Sequence, residues 1–209
     1  MTHVFLYVFA IILVLPMAVH AQVAQDAGGK VITARLIAQR ITLDGRLDEA
    51  TWKDASPLSE FTQRELVEGA PATEKTEVRI LYDEENLYIG VKCFDSDPGG
   101  IIHREMARDA DIDTDDNFTV VLDTFADKRN GYYFRTNPNG VIKDVLVANG
   151  VLDESWNGVW DVRSAMLADG WSAEMLIPFK TLRFSAVSGT DWGINFRRVI
   201  RRKNEQVLW

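Results

Sequence analysis

Past Lys30 the chain alternates apolar and polar residues with a period of two, rather than the roughly 3.6 of an amphipathic helix. In TEVRILYDEENLYIGVKCFD, Val78, Ile80 and Tyr82 share one face. Leu87, Ile89, Val91 and Cys93 resume the alternation after a turn at Asp83 to Asn86. Successive side chains of a strand point to opposite faces, so this pattern predicts a β-hairpin with one face in a core. The same alternation predicts strands over 117–125, 131–136, 141–148, 160–167, 171–179 and 192–202. Turn chemistry separates them, notably NPNG at 137–140 and ADG at 168–170. Only 48–54 reads as a short helix, with acidic residues early in its first turn. Many short strands joined by polar turns predict an all-β fold, an antiparallel β-sandwich of the jelly-roll or immunoglobulin-like kind.

The N-terminus follows a different pattern. Val4 to Leu15 is wholly apolar, Pro16 ends the run, and Val19 and Ala21 are small residues suited to a cleavage site. An apolar run of about a dozen residues is too short to span a bilayer and fits a secretory signal. The expected organisation is a signal peptide over 1–21, a flexible leader over 22–30 and one domain over 31–209. Because the chain ends on Trp209 inside a strand pattern, a further C-terminal domain is expected in a longer protein. The expected signal contains no Asp, Glu, Lys or Arg, so the net charge of −8 belongs to the exported part. That balance argues against nucleic acid as a partner, since phosphate recognition needs a cationic face, and leaves neutral ligands or bound cations. A single cysteine excludes an internal disulfide, and Cys93 has the parity of a small core residue.

Candidate chemistry concentrates in DADIDTDD, Asp109 to Asp116, just before an apolar strand. A solvated loop, a hard-cation site and a catalytic carboxylate group are all open readings. On an extended backbone Asp109, Asp111, Asp113 and Asp115 project to one side, which suits calcium with its six to eight oxygen ligands. An EF-hand is excluded, because Thr114 and Val120 hold its glycine and glutamate positions. Trp52, Trp160, Trp171 and Trp192 read as structural, most of them by parity with apolar neighbours. Trp156 stands in the polar loop LDESWNGVW and is the candidate platform for stacking a sugar ring. The basic run RRVIRRK raises the alternative of an anion site, but Arg197 and Arg201 face one way and Arg198 and Arg202 the other, so carboxylates such as Glu174 or Asp161 are the expected partners. His103 has no evident partner. With no nucleophile elbow, zinc motif, P-loop or dinucleotide fingerprint, the domain reads as noncatalytic.

Five segments in order carry a family resemblance: ITLDGRLDEATWKDA, VRILYDEENLYIGVKCFD, DNFTVVLDTF, GWSAEMLIPFKTL and WGINFRRVIRR. Together they resemble carbohydrate-binding module family 9 over Ile32 to Trp209. More narrowly, they resemble the form at the N-terminus of bacterial outer-membrane proteins, where a C-terminal domain of uncertain function, thought to be a β-barrel, follows. The resemblance implies a β-sandwich, bound calcium and a polysaccharide or oligosaccharide held between two tryptophans. It places metal ligands at Asp95, Asp115 and Asp116, with Asp113 in addition. It also implies an exported protein, whether periplasmic, outer-membrane-associated or extracellular. The alternative is an interaction domain that packs on its own outer-membrane barrel and has lost sugar binding. The family's sugar site is altered at three places. Asp113 stands where the first clamp tryptophan is expected, Thr119 where a sugar-bonding carboxylate is expected, and the second clamp falls beyond Trp209.

Overall fold

The structure is a computed structural model that describes residues 30–184 and 191–209; the expected signal peptide and nearly all of the leader lie outside them. The unit Ile32–Trp209 holds twelve strands among the described residues. In chain order these are β1 (Arg35–Leu36), β2 (Thr62–Glu65), β3 (Thr76–Tyr82), β4 (Asn86–Phe94), β5 (Asn117–Asp123) and β6 (Gly131–Thr136). They continue with β7 (Lys143–Ala148), β8 (Val151–Asp153), β9 (Asp161–Leu167), β10 (Gly170–Pro178), β11 (Gly193–Ile200) and β12 (Glu205–Leu208). One sheet runs β1-β3-β4-β10-β9 and the other β2-β12-β11-β5-β6-β7-β8. Apart from the short parallel pair of β1 and β3, neighbours are antiparallel. The β-sandwich expected from the alternation is the fold.

The alternation explains the core. Phe118, Val120 and Leu122 of β5 are buried, as are Val78, Ile89, Val91 and Met175 of the facing sheet, all in one apolar cluster. Cys93 is part of it, and burial pushes its thiol up to about 12, which makes it an inert core residue. One cation crosses between the sheets. Arg198 is fully buried and donates to the carbonyls of Lys75 (3.0 Å) and Phe94 (2.8 Å) and to the Thr76 hydroxyl (3.1 Å). These bonds tie β11 to β3 and β4 at one end of the core.

The outer face of the five-stranded sheet has its own cover. Helix α1 (Ala50–Lys53) presents Trp52 to Leu81 and Tyr88 in a second apolar cluster. Close approach here requires Gly90, since a Cβ at that position would lie 2.7 Å from Leu47 and 2.9 Å from the Trp52 ring. Glu174 anchors this cover by accepting from the Trp52 indole (2.7 Å) and from the amides of Asp44 and Gly45 (2.8 Å each).

Differences from the expected elements have local causes. The helix is shorter than 48–54, and β1, β2, β8 and β12 are additional short strands. The long strand expected over 192–202 stops at Ile200, where a 3-10 turn (Arg201–Lys203) and a left-handed Asn204 (φ 51°) redirect the chain into β12. The basic residues past Ile200 therefore leave the strand alternation. Glu174 and Asp161 are not their partners: Glu174 holds the Trp52 cover, and Asp161 pairs with Arg163 at 2.5 Å.

Burial, then the nearby charge of Glu49, raises the Glu174 carboxyl to about 7 against its three N–H donors. A carboxyl raised by folding contributes stability that is full below its ordinary value of 4.5 and is lost as pH rises through about 7. Urea unfolding of the native chain should accordingly show stability falling between about pH 5 and 8, and Glu174→Gln should flatten that fall. Parallel profiles in the two proteins would contradict the assignment.

Candidate functional site

The acidic segment is not extended. Its one large apolar residue, Ile112, is fully buried and draws Ile112–Thr114 into a 3-10 turn. Asp109 before it is left-handed (φ 60°), and Asp111 caps the turn by accepting from the Asp113 amide at 3.0 Å. The aspartates consequently point different ways instead of lining one side. Asp113 turns outward to bind Arg135. Asp115 turns inward and accepts from the amides of Arg104 and Glu105 (3.0 Å each) and from Asn137 (2.8 Å). Asp116, also buried, accepts from the amides of Ile102 (3.3 Å) and Arg201 (3.1 Å). Asn137, first residue of the expected NPNG turn, also donates to the Glu105 carbonyl at 2.9 Å. His103 does have a partner: its Nδ1 lies 2.9 Å from Asn139 Oδ1.

Asp95 follows β4 and is buried beside two guanidinium groups. It binds Arg202, accepts from the Asp97 amide at 2.8 Å, and lies 3.8 Å from Arg198. Glu74 joins the same network through Arg202 (3.2 Å), Lys203 (2.5 Å) and the Ser96 hydroxyl (2.6 Å). Burial works to raise the Glu74 carboxyl, but the bonds from Lys203 and Ser96 outweigh it and hold it at about 2. Arg197 and Arg198 of β11 thus pair with Asp113 and Asp95, and Arg202 of the turn beyond it with Glu74 and Asp95, not with Glu174 or Asp161.

The four aspartates with expected metal roles are therefore dispersed. Among the described residues no group of three or more His, Cys, Asp or Glu is placed to hold a metal ion. Asp113 belongs to the Arg135 pair, and Asp115 to its amide and Asn137 donors. Asp95 and Asp116 remain within electrostatic reach of each other. Burial first, with the Asp95 charge adding to it, raises the Asp116 carboxyl above its ordinary value. Asp95 Oδ2, Asp115 Oδ1 and Asp116 Oδ2 are each buried without a hydrogen-bond partner, and the Arg198 guanidinium lies 3.8 Å from Asp95 Oδ2. The four are not gathered round one point; the oxygens left without donors, which could meet a hard cation, are those of the three buried aspartates and not of Asp113.

The tryptophans divide as expected except for one. Trp52, Trp160 and Trp171 are buried, and Trp192 packs against Phe179 and Phe184. Trp156 is not a free-standing loop residue. It is half-buried, with its ring 5.2 Å from Tyr132 and 6.2 Å from Phe134, centroid to centroid. Gly158 makes this possible, since a Cβ there would meet the Trp156 ring at 2.6 Å. The indole fills the end of the core, and its polar sequence neighbours disguised that role.

A groove of about 470 Å³ lies on the outer face of the seven-stranded sheet. Register builds it. Arg197 pairs with Thr119, Thr119 with Arg135 and Arg135 with Lys143, so these residues form one cross-strand row. The adjacent row is Asn195, Val121, Tyr133 and Val145. Asp113 closes one rim and Leu152 and Glu154 lie at another. Burial acts to raise the Asp113 carboxyl, but Arg135, then Arg197 and Lys143, hold it below its ordinary value. Sequence reasoning noted Asp113, Thr119 and Arg197 separately. Arg135, Tyr133 and Lys143 escaped notice because only the register brings them together.

Two packed sheets with a polar groove on an outer face define a β-sandwich binding module. A family profile described as carbohydrate family 9 binding domain-like matches residues 43–205, and the chain belongs to that family. Modules of this family are typically noncatalytic. A Bacteroides uniformis protein assigned to carbohydrate binding shares the fold at TM-score 0.63 and 15% identity, with 87% of this chain and 89% of that one covered. A family 9 module from Caldicellulosiruptor kristjanssonii, solved with cellotriose, aligns at TM-score 0.57 and 15% identity over 84% of this chain and 83% of that one. Its glucose complex aligns at TM-score 0.56 and 14% identity over 84% and 85%. No curated protein matches the chain in sequence.

Proposed function

We propose that this domain binds a saccharide without cleaving it, in the outer groove over Tyr133. One observation carries the reading: Asp113 and Thr119, the positions where the family resemblance puts sugar contacts, line the same groove. Tyr133 with Val121 and Val145 offers the apolar surface that the C–H face of a pyranose needs, and Asn195 and Thr119 stand beside it for hydroxyl groups. The sugar complexes of the C. kristjanssonii module support a saccharide as the ligand class. The groove has no tryptophan pair, so affinity is expected to be weak. The apolar run Val4 to Leu15 supports export, for which a mature N-terminus at Gln22 is the check. Calorimetry against xylan, cellulose and pectin oligosaccharides should show binding that Tyr133→Ala abolishes. Trp156→Ala should lower the melting temperature yet keep the binding. Binding that survives Tyr133→Ala, or disappears with Trp156→Ala in folded protein, would place the sugar elsewhere.

A calcium ion at Asp95 and Asp116 belongs to the same reading. The support is the two buried carboxylate oxygens that lack donors and the mutual repulsion that a cation would relieve. Two carboxylates make a modest site, in which water and backbone carbonyls would complete the shell. The bound ion would neutralise the pair and join the end of β4 to the start of β5. From chelator-treated protein, millimolar calcium should raise the melting temperature by favouring the folded state. Asp116→Ala should remove most of the rise, whereas Asp113→Ala should leave it. A melting temperature indifferent to calcium in the native chain would exclude the site.

A further inference from the structure

The floor of the groove carries more positive charge than a neutral sugar needs. Arg197, Arg135 and Lys143 share one cross-strand row in a chain whose net charge is −8. Arg135 and Lys143 are direct cross-strand partners, an arrangement that destabilises a sheet unless something offsets it. Carboxylates do so in part, Glu65 by its charge on Arg197 and two others at closer range. Asp113 binds Arg135 and lies 3.9 Å from Arg197, and Glu154 lies 3.9 Å from Lys143.

Burial separates the two signs of charge. The side chains of Arg135, Lys143 and Arg197 keep 10%, 13% and 29% of their surface exposed, whereas Asp113 and Glu154 keep 64% and 68%. The cations are thus fixed in the floor, and the acids stand at the rim, where solvent screens their attraction. Three donors in the row remain unused: the Thr119 hydroxyl and the Nε groups of Arg135 and Arg197 are buried without a hydrogen-bond partner. Burial, and then the charge of Arg135, also depresses the Arg197 pKa, so the pair is under electrostatic load.

We infer that the groove selects an acidic saccharide, with the carboxylate of a uronic acid unit received by Arg197, Arg135 and Lys143. A guanidinium presents a planar fork of donors that matches a carboxylate, and such charge-assisted bonds are shorter and stronger than neutral ones. The incoming carboxylate would displace Asp113 from the arginines toward the solvent it already faces. A bare anion would leave the neighbouring Tyr133 and Val121 surface unused, whereas a pyranose ring attached to the carboxylate covers it. This inference rests on the saccharide reading above and narrows it.

The test measures calorimetric affinity of the full chain for glucuronate and digalacturonate beside glucose and cellobiose. Inorganic phosphate is a further ligand, and Arg197→Gln and Lys143→Gln are the variants, each checked for folding by its melting curve. At least one acidic sugar should bind about tenfold or more tightly than the neutral sugar of equal length, as expected for a charge-assisted bond. The advantage should shrink in whichever variants fold and as salt rises, and phosphate should bind more weakly than the uronate. Neutral sugars binding as well as acidic ones would overturn acid selection and leave saccharide binding standing. Phosphate binding as tightly as uronate would show a bare anion site. An advantage unchanged in the folded variants would remove this row from the site, and no binding of any sugar would overturn both readings.

Discussion

Because side chains alternate along a strand, the pairing that buries Phe118, Val120, Phe134 and Phe196 between the sheets sends Thr119, Arg135 and Arg197 out through the opposite face. Core and groove are two sides of one register. A slip of one residue at β5 would bring Thr119 and Val121 inward and expose Phe118 and Val120, so the apolar core fixes the position of every groove residue. The cationic row inherits its order from hydrophobic packing that it does not touch. Its like charges are held together at a cost that the core covers, a common arrangement where a surface is shaped for a ligand.

The buried carboxylates act at a different place and scale. Asp115 and Asp116 each use one carboxylate oxygen to hold backbone amides, those of the 102–105 segment and of Arg201. Asp95 and Glu74 collect Arg202 and Lys203 from the turn between β11 and β12. Removing a partner from such a network leaves a buried charge uncompensated, which costs more than an exposed pair of the same geometry. The acidic segment therefore organises loops at one edge of the sandwich and sends only Asp113 to the groove.

The strands were legible because one face of each is buried, so period two shows in composition. Gly131–Thr136 begins and ends where the pattern places it. Strands β2 and β8 left weaker signals, since most of their residues are exposed and polar or apolar positions there follow no core face. The parity of Arg201 and Arg202 failed because the strand gives way to a 3-10 turn after Ile200, which the alternation cannot register. DADIDTDD looked like a one-sided ladder, but the buried Ile112 bends it and scatters its carboxylates. Trp156 read as exposed for the opposite reason: a polar stretch of sequence covers an aromatic contact made with distant strands. The groove was legible only as three isolated positions, Asp113, Thr119 and Arg197, because residues from four strands meet there through register rather than through sequence spacing.

Amide chemical-shift mapping during titration with a binding oligosaccharide tests the central claim most directly, since it reports position without requiring a mutation. The largest changes should fall on Thr119, Tyr133, Arg135, Lys143, Asn195 and Arg197, on neighbouring strands of one sheet face. Changes confined to the 153–158 loop, or spread over the α1 face of the other sheet, would contradict it.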